Sequence, residues 1–348
     1  MEGQLKNRVA STAFAAIVAA AAFGGMTAPA AAFKACQVTD TGGVDDKGFN
    51  QTAWKGVQDA QSMLGVEAKL LESKDETDYE PNLNSFVGEN CDIIITVGFL
   101  LGDATQKAAE ANPNIKFSIV DYAYDPTIPN VLGQVFATDE AAFLAGYLAA
   151  GVSKSGILGT FGGINIPPVT IFMNGFVHGV DYYNAQKGAS VTVLGWDAAT
   201  KEGLFTNNFS NLDDGRAFAK NLFDEGADIV MPVAGPVGLG SAALAAELGT
   251  DSLKIIGVDV DQYVTDPEHQ GVYLTSVEKR MDSTVLAAIK AAMEGTFEGG
   301  VIVGTLASDG VALAPFHDLD SAVPAELKAE LETIKAGIVD GSISVTGM

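Results

Sequence analysis

The chain is short of cysteine, histidine and positive charge. Only two of its 348 residues are cysteine and three are histidine, and 20 Lys and Arg stand against 44 Asp and Glu, a formal net charge of −24. So acidic a surface repels nucleic acid and anionic lipid, which removes both from the expected partners. His178, His269 and His317 are too far apart for paired metal-ligand spacing, so neither a transition-metal site nor a cofactor is expected. The Gly-rich stretch Gly162-Gly163-Ile164-Asn165-Ile166-Pro167-Pro168 lacks the lysine and the glycine spacing that grip phosphate. Repeats and low-complexity tails are missing too, which speaks against a purely adhesive surface protein.

No stretch beyond the N-terminus approaches roughly 18 uninterrupted apolar residues, the length a membrane helix needs. Residues 1–32 read as an export signal: Lys6 and Arg8 in a short polar start, an apolar run over 13–22, and small residues through Ala30-Ala31-Ala32. Removing them takes away two basic side chains and one acidic one, leaving 18 basic against 43 acidic and a formal charge of −25. About 316 residues then remain, enough for two domains of ordinary size. An exported, periplasmic protein is the expectation, and we expect a monomer.

From residue 35 onward short β-branched runs alternate with longer amphipathic ones, the pattern of βαβ units and a mainly parallel sheet. Strands are predicted over 35–39, 67–71, 92–97, 116–120 and 131–136, with helices over 51–64, 79–89 and 101–111. After a helix over 140–152 the alternation repeats, with strands over 157–161, 190–194, 229–233 and 254–258 and helices over 169–186, 215–225 and 238–248. One more strand over 272–277 and a helix over 281–294 follow. A Gly-rich break over 298–304 then precedes a last strand-like stretch and a helix over 325–336. This is an α/β chain of two doubly wound parallel-sheet lobes joined by several crossovers. We expect 33–137 with about 264–297 in the N-terminal lobe, and 138–263 with about 298–348 in the C-terminal one.

Cys36 opens the first strand and Cys91 immediately precedes the third. In a lobe of strand order 2-1-3 these strands are parallel neighbours starting at the same edge, so a disulfide is geometrically reasonable after export. Two free thiols, or a lipid on Cys36, are the alternatives; Phe33-Lys34-Ala35 fits a lipidation site poorly.

Ligands of open parallel sheets sit beyond the carboxyl ends of the strands. Asp40, Gly98 with Phe99, Asp121, Gly162 with Gly163, Gly235 and Asp259 all fall there. A carboxylate at that edge can accept hydrogen bonds from sugar hydroxyls or base N–H groups, or it can cap the next helix. The densest segment is Asp40-Thr41-Gly42-Gly43-Val44-Asp45-Asp46-Lys47-Gly48-Phe49-Asn50. It resembles the Asp-x-Gly-x-x-Asp-Asp-x-x-Phe-Asn loop of the basic membrane protein (BMP) family, the purine nucleoside receptors of ABC importers. The resemblance runs on through Ile119-Val120-Asp121, Gly235-Pro236-Val237-Gly238-Leu239-Gly240, Gly257-Val258-Asp259-Val260-Asp261-Gln262 and Leu274-Thr275-Ser276-Val277-Glu278-Lys279.

The resemblance implies a type I periplasmic-binding-protein fold, a purine nucleoside as ligand, ABC permease subunits as partners and no catalysis. It implies aromatic walls at Phe49 and Phe209, base contacts from Asn50 and Asp121, ribose contacts from Asp259 and Lys279, and cleft-lining positions at Asp40 and Gly235. Trp196 and Phe205 are rivals of Phe209 for the second wall, because the stretch from 196 to 208 departs from the family pattern. Phe49 has the alternative of packing beneath its helix, Asn50 of capping that helix, and Asp40, Gly235 and Lys279 of forming turns or salt bridges. The same receptor fold also admits a sugar, an amino acid derivative or a modified base. A calcium-dependent nucleoside hydrolase is the rival of another class, since Asp40, Asp45 and Asp46 resemble its metal-holding aspartates. That enzyme needs a further aspartate two positions after the first, where this chain has Gly42.

Overall fold

The computed structural model describes residues 32–347. The export signal predicted over residues 1–32 lies outside these residues except for its last position.

The first lobe begins with β1 (Lys34–Val38), α1 (Phe49–Leu64), β2 (Glu67–Leu71), α2 (Tyr79–Gly88) and β3 (Ile93–Val97), and continues with α3 (Gly102–Ala111), β4 (Lys116–Val120) and β5 (Val131–Phe136). The chain then crosses to α4 (Thr138–Val152), β6 (Ile157–Gly162), α5 (Pro167–Lys187), β7 (Thr192–Leu194) and a two-stranded hairpin, β8 (Trp196–Asp197) with β9 (Glu202–Gly203). There follow α6 (Leu212–Asp224), β10 (Ile229–Val233), α7 (Val237–Leu248), β11 (Lys254–Asp259), α8 (Gln262–Thr265) and β12 (Tyr273–Lys279). The last elements are α9 (Met281–Glu294), β13 (Gly300–Gly304), β14 (Val311–Leu313) and α10 (Ala325–Val339).

Two six-stranded sheets result, ordered β13-β5-β4-β3-β1-β2 and β14-β12-β11-β10-β6-β7. Every pairing within them is parallel except β12 with β14. Strands such as β3, Ile-Ile-Ile-Thr-Val, are buried at every position, which is why they read as continuous apolar runs. The expected alternation is therefore found in both lobes.

The assignment of the late strands is corrected. β12 was expected in the first lobe, yet it lies inside the second sheet between β11 and β14, and all seven of its residues are buried. The stretch read as a Gly-rich break holds β13, which pairs parallel with β5 at the edge of the first sheet. The chain thus passes between the sheets three times, at residues 136–138, 279–281 and 304–311. α9, packed on α1, stays with the first lobe as expected.

Local chemistry sets the frame around the strand ends. α1 stops at Gly65, whose left-handed φ of 73° donates its N–H back to Gln61. α5 starts on Pro167-Pro168, where a missing N–H costs nothing. Pro232 lies in central strand β10 and cannot donate to a ladder. The β10–β11 ladder accordingly registers only Ile229 with Lys254 and Val230 with Ile255, so the two strands are unpaired at their carboxyl ends. Cys36 and Cys91 form a disulfide with Cα atoms 6.2 Å apart, joining the starts of neighbouring β1 and β3, the outcome that the strand order allowed.

Candidate functional site

Asp40 directly follows β1, and its carboxylate is built into a network. Oδ1 accepts from the Gly42 N–H at 2.9 Å and from Asn50 Nδ2 at 2.6 Å, while Asn50 Oδ1 accepts from the Asp40 N–H at 3.2 Å. Asn50 Nδ2 also reaches Asp46 Oδ2 at 3.2 Å, so both ends of this amide are engaged inside the protein. The N-cap of α1 is Gly48, and the acceptor for its first N–H groups is Asp46, whose carboxylate accepts from the backbone N–H groups of Gly48, Asn50 and Gln51 at 3.0, 2.7 and 3.1 Å. Asn50 therefore orients Asp40, and the capping role open to it in the sequence belongs to its neighbour. Burial pushes the Asp46 carboxyl up to about 7. Burial also raises Asp40, against its hydrogen bonds from Asn50 and Gly42, and Asp259 and Asp121 add to the rise.

Asp121 directly follows β4 and Asp259 ends β11, in opposite lobes. Both are in left-handed backbone, with φ of 64° and 72°, a conformation uncommon for residues with a side chain and concentrated at functional sites. Lys279, at the end of β12, joins them: its ammonium lies 2.7 Å from Asp121 Oδ2 and 3.1 Å from Asp259 Oδ1. The three side chains are 3, 8 and 9% exposed in the order Lys279, Asp121, Asp259. The same ammonium stands 4.6 Å from the Phe49 ring centroid, 5.5 Å from Phe172 and 5.9 Å from Phe136. Burial alone would lower the Lys279 pKa, but the Asp121 and Asp259 carboxylates outweigh it and hold the group above its ordinary value.

On the second lobe, Phe209 packs across Gly163, where a built Cβ would fall 2.2 Å from its ring. Phe205 covers Gly162 in the same way, at 2.5 Å, and Trp196 meets Phe205 edge-on with centroids 5.9 Å apart. The Trp196 indole donates to Asn174 Oδ1 at 2.9 Å and is buried.

These groups converge on one cavity between the sheets, with about 570 Å³ of empty space, part of it open to solvent. All eight residues selected from the sequence line it: Asp40, Phe49, Asn50, Asp121, Phe209, Gly235, Asp259 and Lys279. Trp196 and Phe205 do not; they pack against each other, with Phe205 over Gly162. Among the lining residues Lys279 is the sole cation, against the four carboxylates Asp40, Asp46, Asp121 and Asp259. The cavity is thus rich in acceptors, with apolar and aromatic walls, a composition suited to a small ligand that carries hydrogen-bond donors.

The family model for ABC transporter substrate-binding proteins of the Bmp, PnrA-like type matches residues 33–346. This chain belongs to the Bmp family. A CD4+ T-cell-stimulating antigen of Listeria monocytogenes is 32% identical, covering 90% of this chain and 88% of its own. An ABC transporter nucleoside-binding protein, BmpA, of Lactococcus lactis is also 32% identical, with the same coverage of both chains. Among solved structures, an ABC transporter solute-binding protein of Aeropyrum pernix superposes with a TM-score of 0.81 at 25% identity, covering 90% of this chain and 92% of that one. The type I periplasmic-binding-protein fold expected from the resemblance agrees with these likenesses. The chain is an ABC transporter substrate-binding protein, a class that is not enzymatic.

Several walls of this Bmp protein's cavity escaped the sequence reading. Phe99 and Leu100 follow Gly98, whose φ of 118° and closeness to Asp40 leave no room for a side chain; a Cβ there would stand 3.1 Å from Asp40 Oδ2. The sequence places Phe99 at the strand edge and assigns it no role; its ring rests on Tyr122 with centroids 5.0 Å apart. Ile166, Pro168, Val169 and Phe172 enter from the start of α5. In the sequence Pro168 belongs to a stretch that lacks the features of a phosphate loop, and nothing in the local pattern distinguishes Phe172 from ordinary core.

Proposed function

We propose that the protein captures a purine nucleoside in the interlobe cavity, outside the cytoplasmic membrane, and presents it to the permease subunits of an ABC importer. The observation that carries this reading is the convergence of eight residues from distant parts of the chain on one cavity, with Phe49 from the first lobe and Phe209 from the second. Two aromatic walls suit a flat heterocycle, and each stacked face contributes roughly 1–3 kcal/mol. Asp121, Asp259 and Asp40 accept from base N–H groups and ribose hydroxyls, while Lys279 donates to ribose oxygen and holds the two carboxylates of opposite lobes together. Asn50 supports the site by orienting Asp40. The nucleoside-binding relative from Lactococcus lactis supports the ligand class.

In this mechanism ligand meets one lobe, and the other rotates about the three crossings to enclose it and exclude water. The ligand favours the closed state by its differential affinity for that state. Residues 1–32 direct export to the periplasm and are removed there, and the protein acts as a monomer. Hydrolysis is disfavoured because Asp46, which a hydrolase would need at its metal, gives both carboxylate oxygens to the α1 backbone.

A thermal-shift screen of ligand-stripped protein against purine and pyrimidine nucleosides, free bases, sugars and amino acids tests the reading. Stabilisation by guanosine, inosine or adenosine, with no free base released on prolonged incubation, is the expected result. Stabilisation by sugars alone would retain the receptor and discard the nucleoside; calcium-dependent release of base would overturn the receptor.

A further inference from the structure

The loop feeding α1 makes a contact that ligand capture does not use. Lys47 sits in left-handed backbone, φ 59°, between Asp46 and Gly48. The Asp46 carboxylate holds it there by gripping the N–H groups of Gly48, Asn50 and Gln51. So held, the Lys47 carbonyl accepts a hydrogen bond from the Thr265 hydroxyl at 2.6 Å. Lys47 belongs to the first lobe, and Thr265 ends α8 of the second, 218 residues away. Neither residue lines the ligand cavity.

The other partner is anchored as firmly. Asp261 at the start of α8 takes His317 Nε2 on Oδ2 at 2.7 Å, and the Tyr263 ring stacks on His317 with centroids 3.9 Å apart. The Gln262 N–H donates to Ser276 Oγ at 3.1 Å, tying α8 to β12. Donor and acceptor are therefore presented by two preformed networks in different lobes, and they meet without any ligand atom between them.

We propose that the Thr265–Lys47 hydrogen bond is a rim latch, made only when the lobes are together, which holds the cleft shut and lengthens the residence of whatever it contains. Asp46 is its positioning residue. The bond exists in the closed state alone, so its net worth biases the open–closed equilibrium by roughly 2- to 10-fold. Ligand enters and leaves through the open form. The latch therefore slows dissociation and leaves association with the open cleft unchanged. Since it touches no ligand, it scales the residence of every ligand alike and adds affinity without adding selectivity.

The proposal depends on the nucleoside reading only through the choice of guanosine as probe. The test compares wild type with Thr265→Val, which removes the hydroxyl at constant shape, and Thr265→Ser, which keeps it. Stopped-flow measurement with guanosine is expected to show a dissociation rate raised roughly 2- to 10-fold in T265V, an association rate no slower than wild type, and wild-type rates in T265S. A T265V dissociation rate equal to wild type, or a T265S rate as fast as T265V, overturns the latch. If guanosine fails to bind wild type, the nucleoside reading falls and the latch is judged on ligand-free protein by small-angle scattering. A larger radius of gyration in T265V than in wild type and T265S then supports it, and superimposable profiles overturn it.

Discussion

Replacing Lys279 by methionine removes the one cation of the cavity at nearly constant length, leaving an apolar side chain against the rings of Phe49, Phe136 and Phe172. Asp121 and Asp259, now within 2.7 and 3.1 Å of the ammonium, lose their partner while 8 and 9% exposed. Breaking a buried ion pair by deleting one member costs about 3–5 kcal/mol, because the remaining charge is stranded. For a body of this size the loss corresponds to a fall in Tm of roughly 5–8 °C. The cost should be read by urea unfolding of ligand-free protein, completed as a double-mutant cycle with Asp121→Asn. Neutralising Asp121 relieves part of the stranded charge, so Lys279→Met should cost less in the Asp121→Asn background, with a coupling of about 1 kcal/mol or more. A single-mutant loss under about 1 kcal/mol with no coupling would refute the reasoning, since it would mean that the ammonium does not hold these carboxylates in solution.

Stability should also depend on pH through Asp46, whose pKa rises from 3.8 unfolded to about 7 folded by burial. Between those values the folded protein holds a proton that the unfolded chain has released, so this group's contribution is largest at low pH and is lost as pH rises through about 7. Denaturation curves at pH 5.5, 6.5 and 7.5 should show unfolding free energy falling by about 1 kcal/mol per unit from this site, and Asp46→Asn should flatten the slope. Asp40, raised by burial as well, acts in the same direction. Converting Cys36 and Cys91 together to serine opens a link spanning 55 residues and should destabilise the protein by about 4 kcal/mol, read by calorimetry beside a thiol titration that finds no free thiol in the wild type.

The parts of the site legible in the sequence were those tied to strand ends. Asp40, Asp121 and Asp259 each terminate a β-branched run, and a parallel sheet places such residues on a common edge. The same strand order made the disulfide geometrically reasonable and left free thiols open. The late chain was less legible because periodicity is local, whereas the exchange of β12 and β13 between sheets depends on crossings with no local signature. Gly299-Gly300 and Gly304 obscured the strand they flank, although Val301, Ile302 and Val303 between them are β-branched. The role of Asn50 depends on which side-chain atom meets which partner, and residue type alone fits both a cap and a ligand contact. That Phe209 lines the cavity while Trp196 and Phe205 do not goes with the β8–β9 hairpin, two pairs of residues too short to be seen in a pattern.

The central claim is that a purine nucleoside sits between Phe49 and Phe209. Isothermal titration of ligand-stripped wild type, Phe49→Ala and Phe209→Ala with guanosine, with cytidine and ribose as controls, tests it most directly. The account predicts one guanosine per chain, weaker binding of the controls, and an affinity loss of about 5- to 150-fold in each alanine variant, the equivalent of one stacked face. No binding of guanosine, adenosine or inosine by the wild type, or guanosine binding that both alanine variants retain in full, would contradict it.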